Sequence, residues 1–106
     1  MRIAAINTVT VKTKPGQTAH VLSVLSEMTE QFHAQSGCLS YGAVESKSQP
    51  ALLVVTGHWS CPDCMNGHFL NPALQTFSTL LESNIVYSLS FHHTVLEPNN
   101  KEPRSS

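Results

Sequence analysis

The chain has 106 residues, 41% of them hydrophobic and only 12% charged, with a formal net charge of −1. Charge is thus about half as frequent as the ~25% usual in globular domains, and no Lys/Arg cluster offers the basic footprint of a nucleic-acid binder. The length suits one domain with an ordinary core. No signal peptide and no long apolar run is evident, so the expectation is a cytoplasmic protein with no membrane association. Three cysteines, an odd number, argue against a secreted disulfide framework.

The first element is Ile3 to Val11, uncharged and rich in β-branched residues, which predicts a strand. Lys14-Pro15-Gly16 ends it, and Thr18 opens a helix. Val21, Leu22, Val24, Leu25, Met28 and Phe32 then recur at helical spacing up to the stop at Ser36-Gly37. Cys38 to Glu45 is the second strand, Lys47 to Pro50 a hairpin-like connection, and Ala51 to Trp59 the third strand. A short helix follows through Phe69, with Ser60 or Asp63 as its cap. Pro72 restarts a helix that runs to about Leu81. Asn84 to Leu96 is the last strand, and Glu97 to Ser106 is a polar tail.

This β-α-β-β-α-β order predicts a four-stranded antiparallel sheet with both helices on one face, an α+β domain over residues 1–96 followed by the tail 97–106. The segments Ile3 to Val11, Cys38 to Val44, Ala51 to Trp59 and Asn84 to Leu96 hold no Asp, Glu, Lys or Arg. A sheet face open to water normally carries charge. Two helices cover one face only, so the second face predicts a homodimer packed sheet to sheet.

Three residues stand out as chemistry. Trp59, the only tryptophan, ends a strand just before a helix. The commonest role of such a residue is core packing, but pockets gather at strand ends. His68, nine residues on, offers an imidazole that titrates near neutrality, the property of a general base. Its bland alternative is a surface or capping histidine. Asn7 is the polar exception in the first strand and shares parity with Ile3, Ala5, Val9 and Val11, so its amide needs a buried partner or a ligand. His92 and His93 must face opposite ways, one toward the pocket and one toward the dimer face. Cys61-Pro62-Asp63-Cys64 is a C-x-x-C at a helix start. Incidental thiols rank first for it, a redox pair second, and zinc third, with His58 and His68 as the nearest further ligands. Cys38 reads as a small buried residue.

The ordered set Lys14-Pro15-Gly16, Gly37-Cys38-Leu39-Ser40-Tyr41, Trp59, His68 and Pro72-Ala73-Leu74 resembles the antibiotic biosynthesis monooxygenase domain family, over roughly Ile3 to Leu96. The resemblance implies a ferredoxin-like protomer and a dimeric α+β barrel. It also implies oxygenation of a small phenol, quinol or enol without metal or flavin, the substrate's own anion reacting with oxygen. His68 would then move the proton, Asn7 would hold the oxyanion, and Trp59 would form an aromatic wall or donate its indole N–H. The polyketide-oxidising members' Asn and Tyr around the strand Trp fall here on Val55 and Met65, and their helix Arg has no counterpart from Ser60 through Leu96. The haem-degrading members' first-strand Asn matches Asn7, but their haem-ligating His falls at Ser78. Those two mechanisms do not carry over. A non-oxidative isomerase or lyase of an enolisable metabolite, and a non-catalytic small-molecule-binding dimer, are the alternatives.

Overall fold

The computed structural model describes residues 2–96; the tail expected at 97–106 lies outside them. Four strands, β1 (Ala5–Thr13), β2 (Cys38–Glu45), β3 (Leu52–Trp59) and β4 (Val86–Val95), form one antiparallel sheet in the order β2-β3-β1-β4. The helices are α1 (Thr18–His33), α2 (Pro62–His68) and α3 (Gln75–Glu82), the last entered through a 3-10 turn at Pro72–Leu74. This is the βαββαβ ferredoxin-like α+β fold expected from the element order.

Alternation in β1 decides what the sheet buries. Ala5, Asn7, Val9, Val11 and Thr13 face the helices and are buried, while Ile6, Thr8 and Thr10 face the other way. In β3 the same parity buries Leu53, Val55, Gly57 and Trp59. The helical stripe of α1, Val21, Leu25, Met28 and Phe32, closes the core from above. Phe77 and Leu80 of α3 and Val86 of β4 are buried in the same core, with Leu89 packed against it. Phe91 lies on the helix side, opposite Val9, where the Phe77 ring of α3 meets it edge to face at 5.5 Å, yet it stays 60% exposed.

Element ends differ from expectation by small amounts with local causes. β1 starts two residues later and runs to Thr13, because its last rungs pair with Leu52 of β3 and Val86 of β4. It thereby adds exposed Lys12 to the open face, which is therefore not wholly uncharged. The cap of α2 is Cys61, not Ser60 or Asp63: its Sγ accepts from the Cys64 N–H at 3.1 Å. Asn71 Oδ1 caps the 3-10 turn by accepting from the Ala73 N–H at 2.8 Å.

Candidate functional site

Trp59 ends β3 fully buried, and His68 ends α2 fully buried. Their rings lie 4.9 Å apart. Asn7, 4% exposed, sits on β1 below them. The indole N–H of Trp59 donates to Asn7 Oδ1 at 2.7 Å. Asn7 Nδ2 donates to the Tyr41 hydroxyl at 2.8 Å. Tyr41 Oη is 2.9 Å from His68 Nε2, and His68 Nδ1 is 2.8 Å from Gln35 Oε1. The structure thus brings the three sequence-derived residues together, and it does so through two residues that sequence reasoning missed, Tyr41 and Gln35.

The polarity of this chain follows from donor and acceptor chemistry. Gln35 Oε1 can only accept, so the His68 proton is on Nδ1 and Nε2 carries the lone pair. Tyr41 must then donate to Nε2 while its oxygen accepts from Asn7. Every link runs one way, from Trp59 through Asn7, Tyr41 and His68 to Gln35. The opposite arrangement would leave the buried phenol proton without an acceptor.

Burial reinforces this proton placement. Desolvation lowers the His68 pKa from 6.5 to about 4, so the ring is neutral near pH 7. Desolvation also raises the Tyr41 pKa from 10 to about 12, opposed in part by the Asn7 hydrogen bond. Phe32 encloses the pair, 4.5 Å from the His68 ring and 4.9 Å from the Tyr41 ring.

Strand register makes the geometry possible. Tyr41, Gly57, Asn7 and His93 stand in one row across β2, β3, β1 and β4. The Asn7–Tyr41 bond passes over Gly57. A Cβ at Gly57 would lie 2.6 Å from Asn7 Oδ1 and would also strike the Tyr41 ring. A glycine inside an otherwise apolar strand is the sequence signal for such close approach, and it could have pointed to Tyr41. Gln35 lies in the α1–β2 loop, where its N–H donates to Phe32 O at 3.0 Å and its carbonyl accepts from Cys38 N at 3.1 Å. Nothing in the sequence distinguishes it from any other loop glutamine.

The row ends on β4 at His93, which is exposed. His93 neighbours Asn7 in register and lies 5.8 Å, ring to ring, from Phe69 at the end of α2. Phe69, Phe91 and Leu70 are 41%, 60% and 84% exposed. His92 faces the opposite side of the sheet, opposite Thr8. There a shallow depression of about 280 Å³ is lined by Ser40, Val44, Val54, Thr56 and His58, with Ser40 Oγ 2.8 Å from His58 Nδ1. Among the described residues no three His, Cys, Asp or Glu side chains gather as a metal site. None of the described helices is long and apolar enough to cross a membrane. Cys61 and Cys64, ranked first as incidental thiols, are joined as a disulfide, and Cys38 is free and half-buried.

Solved structures of the same fold cover nearly the whole chain. A Deinococcus radiodurans protein provisionally named an antibiotic biosynthesis monooxygenase superposes with a TM-score of 0.77 at 24% identity, covering 96% of this chain and 99% of its own. A Bacteroides thetaiotaomicron protein of unknown function, described as a possible oxidoreductase, gives 0.73 at 12% identity, covering 90% of this chain and all (100%) of its own. Rv0793 of Mycobacterium tuberculosis gives 0.69 at 18%, covering 93% and 98%. At these identities the likeness establishes the fold. No curated protein matches the sequence. The family model for antibiotic biosynthesis monooxygenases matches residues 3–80, most of the chain, and this protein belongs to that family.

Proposed function

We propose that this protein is a cofactor-independent monooxygenase acting on a small phenol, quinol or enolisable substrate, as a homodimer paired through the open sheet face. The observation that carries the proposal is the one-way hydrogen-bonded chain at Tyr41 and His68, held in an apolar enclosure beside Asn7. Family membership and the name of the Deinococcus relative support the oxygenase class.

Both His68 nitrogens are already bonded, so in this reading the base acts through Tyr41. A substrate hydroxyl donates to Tyr41 Oη as the Tyr41 proton moves to His68 Nε2. The imidazolium formed keeps its Nδ1–H on Gln35. Among the described residues, the second Nδ2 hydrogen of Asn7 has no protein partner, and it stabilises the substrate oxyanion. The anion offsets the cost of a buried imidazolium, because opposite charges in a poorly solvated site attract strongly. The electron-rich anion then gives its electrons to oxygen: one oxygen atom bonds to the substrate carbon, the O–O bond breaks, and the other atom leaves as water with two hydrogens lost by the substrate. Substrate reaches Asn7 from the β4 side, between Phe69 and Phe91 and past His93. Trp59 fixes Asn7 by its N–H and walls the site.

Oxygen uptake with a panel of phenols and quinols, on protein purified free of flavin, haem and metal, tests the proposal. Turnover should fall roughly a hundredfold or more in His68→Ala, as expected for loss of a general base, and should also fall in Asn7→Ala. Trp59→Phe should have a smaller effect. Absence of uptake across the panel would reject the oxygenase assignment and favour an isomerase, a lyase or a binding protein. Turnover unchanged by His68→Ala would reject the proton relay.

A further inference from the structure

The C-x-x-C motif plays no part in the relay, yet it touches the same loop. Cys61 and Cys64 are bonded to each other at the start of α2, and both are half-buried. His68 is at the other end of that helix. The loop Gln35–Gly37 runs along both ends. Gly37, at φ +81°, is pressed against Cys64: a Cβ there would lie 2.6 Å from Cys64 Cβ, would overlap Cys64 Sγ, and would stand 3.2 Å from Ser60 Oγ. Gly37 O also accepts from the Ser60 N–H at 2.8 Å. Two residues earlier, Gln35 Oε1 holds His68 Nδ1. Sulfur and imidazole are therefore linked through one short, doubly anchored stretch of backbone.

We propose that Cys61–Cys64 is a reversible thiol–disulfide exchange site for dithiols, and that its state is transmitted to His68 through Gly37 and Gln35. Gly37 backs the Cys64 sulfur, which leaves Cys61 as the sulfur attacked. A thiolate of the dithiol bonds to Cys61 Sγ and displaces Cys64 as a thiolate, which takes a proton. The second thiol of the reductant then attacks the mixed disulfide, closes its own disulfide and releases Cys61. Two electrons and two protons pass to the protein. Separate thiol sulfurs cannot stay as near as bonded ones, so one must move. Cys64 has backbone against it, so its movement displaces Gly37 and with it the acceptor that fixes the His68 tautomer. Cys38 takes no part: its thiol donates to Ser40 O at 3.5 Å, within β2.

This inference does not depend on the oxygenase assignment, and its test uses no turnover. The folded full chain is equilibrated with graded ratios of reduced and oxidised dithiothreitol, quenched and alkylated, and its peptides are weighed. Cys61 and Cys64 should convert together and reversibly, with Cys38 alkylated to the same extent in every sample. The imidazole nitrogen resonances of His68, read by NMR, should differ between the two forms. In the double variant Cys61→Ser/Cys64→Ser they should be the same with and without reductant. Reduction only after the chain unfolds, followed by circular dichroism, would overturn the exchange site. Identical His68 resonances in both forms, or a reductant response that persists in the double variant, would overturn the coupling.

Discussion

Tyr41 Oη lies 2.9 Å from His68 Nε2, and because Gln35 Oε1 takes the Nδ1 proton of His68, the proton between them belongs to the phenol. Burial separates the two groups, holding Tyr41 near 12 and His68 near 4, so the neutral pair is strongly favoured over the charge-separated one in the absence of ligand. Tyr41→Phe keeps the ring, which packs against Phe32 and Trp59. It leaves the Asn7 amide and the His68 lone pair without their partner. Each buried unsatisfied group costs about 1–3 kcal/mol. Urea unfolding should therefore show a loss of a few kcal/mol, more than an exposed Tyr→Phe change such as Tyr87→Phe would give.

His68 also predicts how stability varies with pH. Its pKa is about 4 when folded and 6.5 as the free side chain. As pH falls, the unfolded chain takes up the proton first. The contribution is therefore complete above about pH 6.5, declines between 6.5 and 4, and levels off below about 4. The full span is on the order of 3 kcal/mol. His68→Gln should flatten this part of the profile, measured as the urea midpoint between pH 4 and 7. An equal slope in the variant would assign the dependence to other groups.

Much of this arrangement was legible in the sequence because it rests on parity. The alternation that buries Val9 and Val11 also turns Asn7 inward, and the one that buries Leu53 and Val55 does the same for Trp59. His68 was found through its distance from Trp59, since a turn and a short helix carry the chain back over the strand end. Tyr41 was not assigned a role, because its partner Asn7 is two strands away and only the sheet order and register bring them together. The neighbourhood of Asn7 and His93 was also hidden, because it depends on the register of β1 with β4. The proton placement came from hydrogen-bond partners, which no periodicity reports.

Gly57 carries the register argument to a single atom. Its Cα lies under the Asn7–Tyr41 bond, and the neighbours a side chain would meet are an aromatic ring and an amide oxygen, neither of which can yield without breaking the network. Gly57→Ala should destabilise the fold by about 1–3 kcal/mol, the range for overpacking. It should also change Trp59 fluorescence, because Asn7 is the indole's acceptor. Gly42→Ala is the control: it lies on the adjacent strand with open space where its Cβ would go. Equal effects from the two changes would show that only strand propensity is being measured.

The open sheet face sets the last prediction. Ile6, Thr8 and Thr10 of β1, Val54 and Thr56 of β3, and Ser90 and His92 of β4 share the side that no described helix covers, and Val44 there is 63% exposed. Lys12, at one end, is the only Lys, Arg, Asp or Glu on this side of the described strands. A sheet that faced water across four strands would normally intersperse charge among these positions. A second copy brings the same neutral surface, and a two-fold pairing would bury both at once. Sedimentation at micromolar concentration should therefore give about twice the 11.6 kDa chain mass. Thr8→Glu with Thr56→Glu, neighbours in register at the centre of the face, would place four carboxylates in a dimer interface. That variant should sediment as a folded monomer with unchanged circular dichroism. A wild-type monomer, or a dimer that the glutamates leave intact, would remove the sheet-to-sheet pairing.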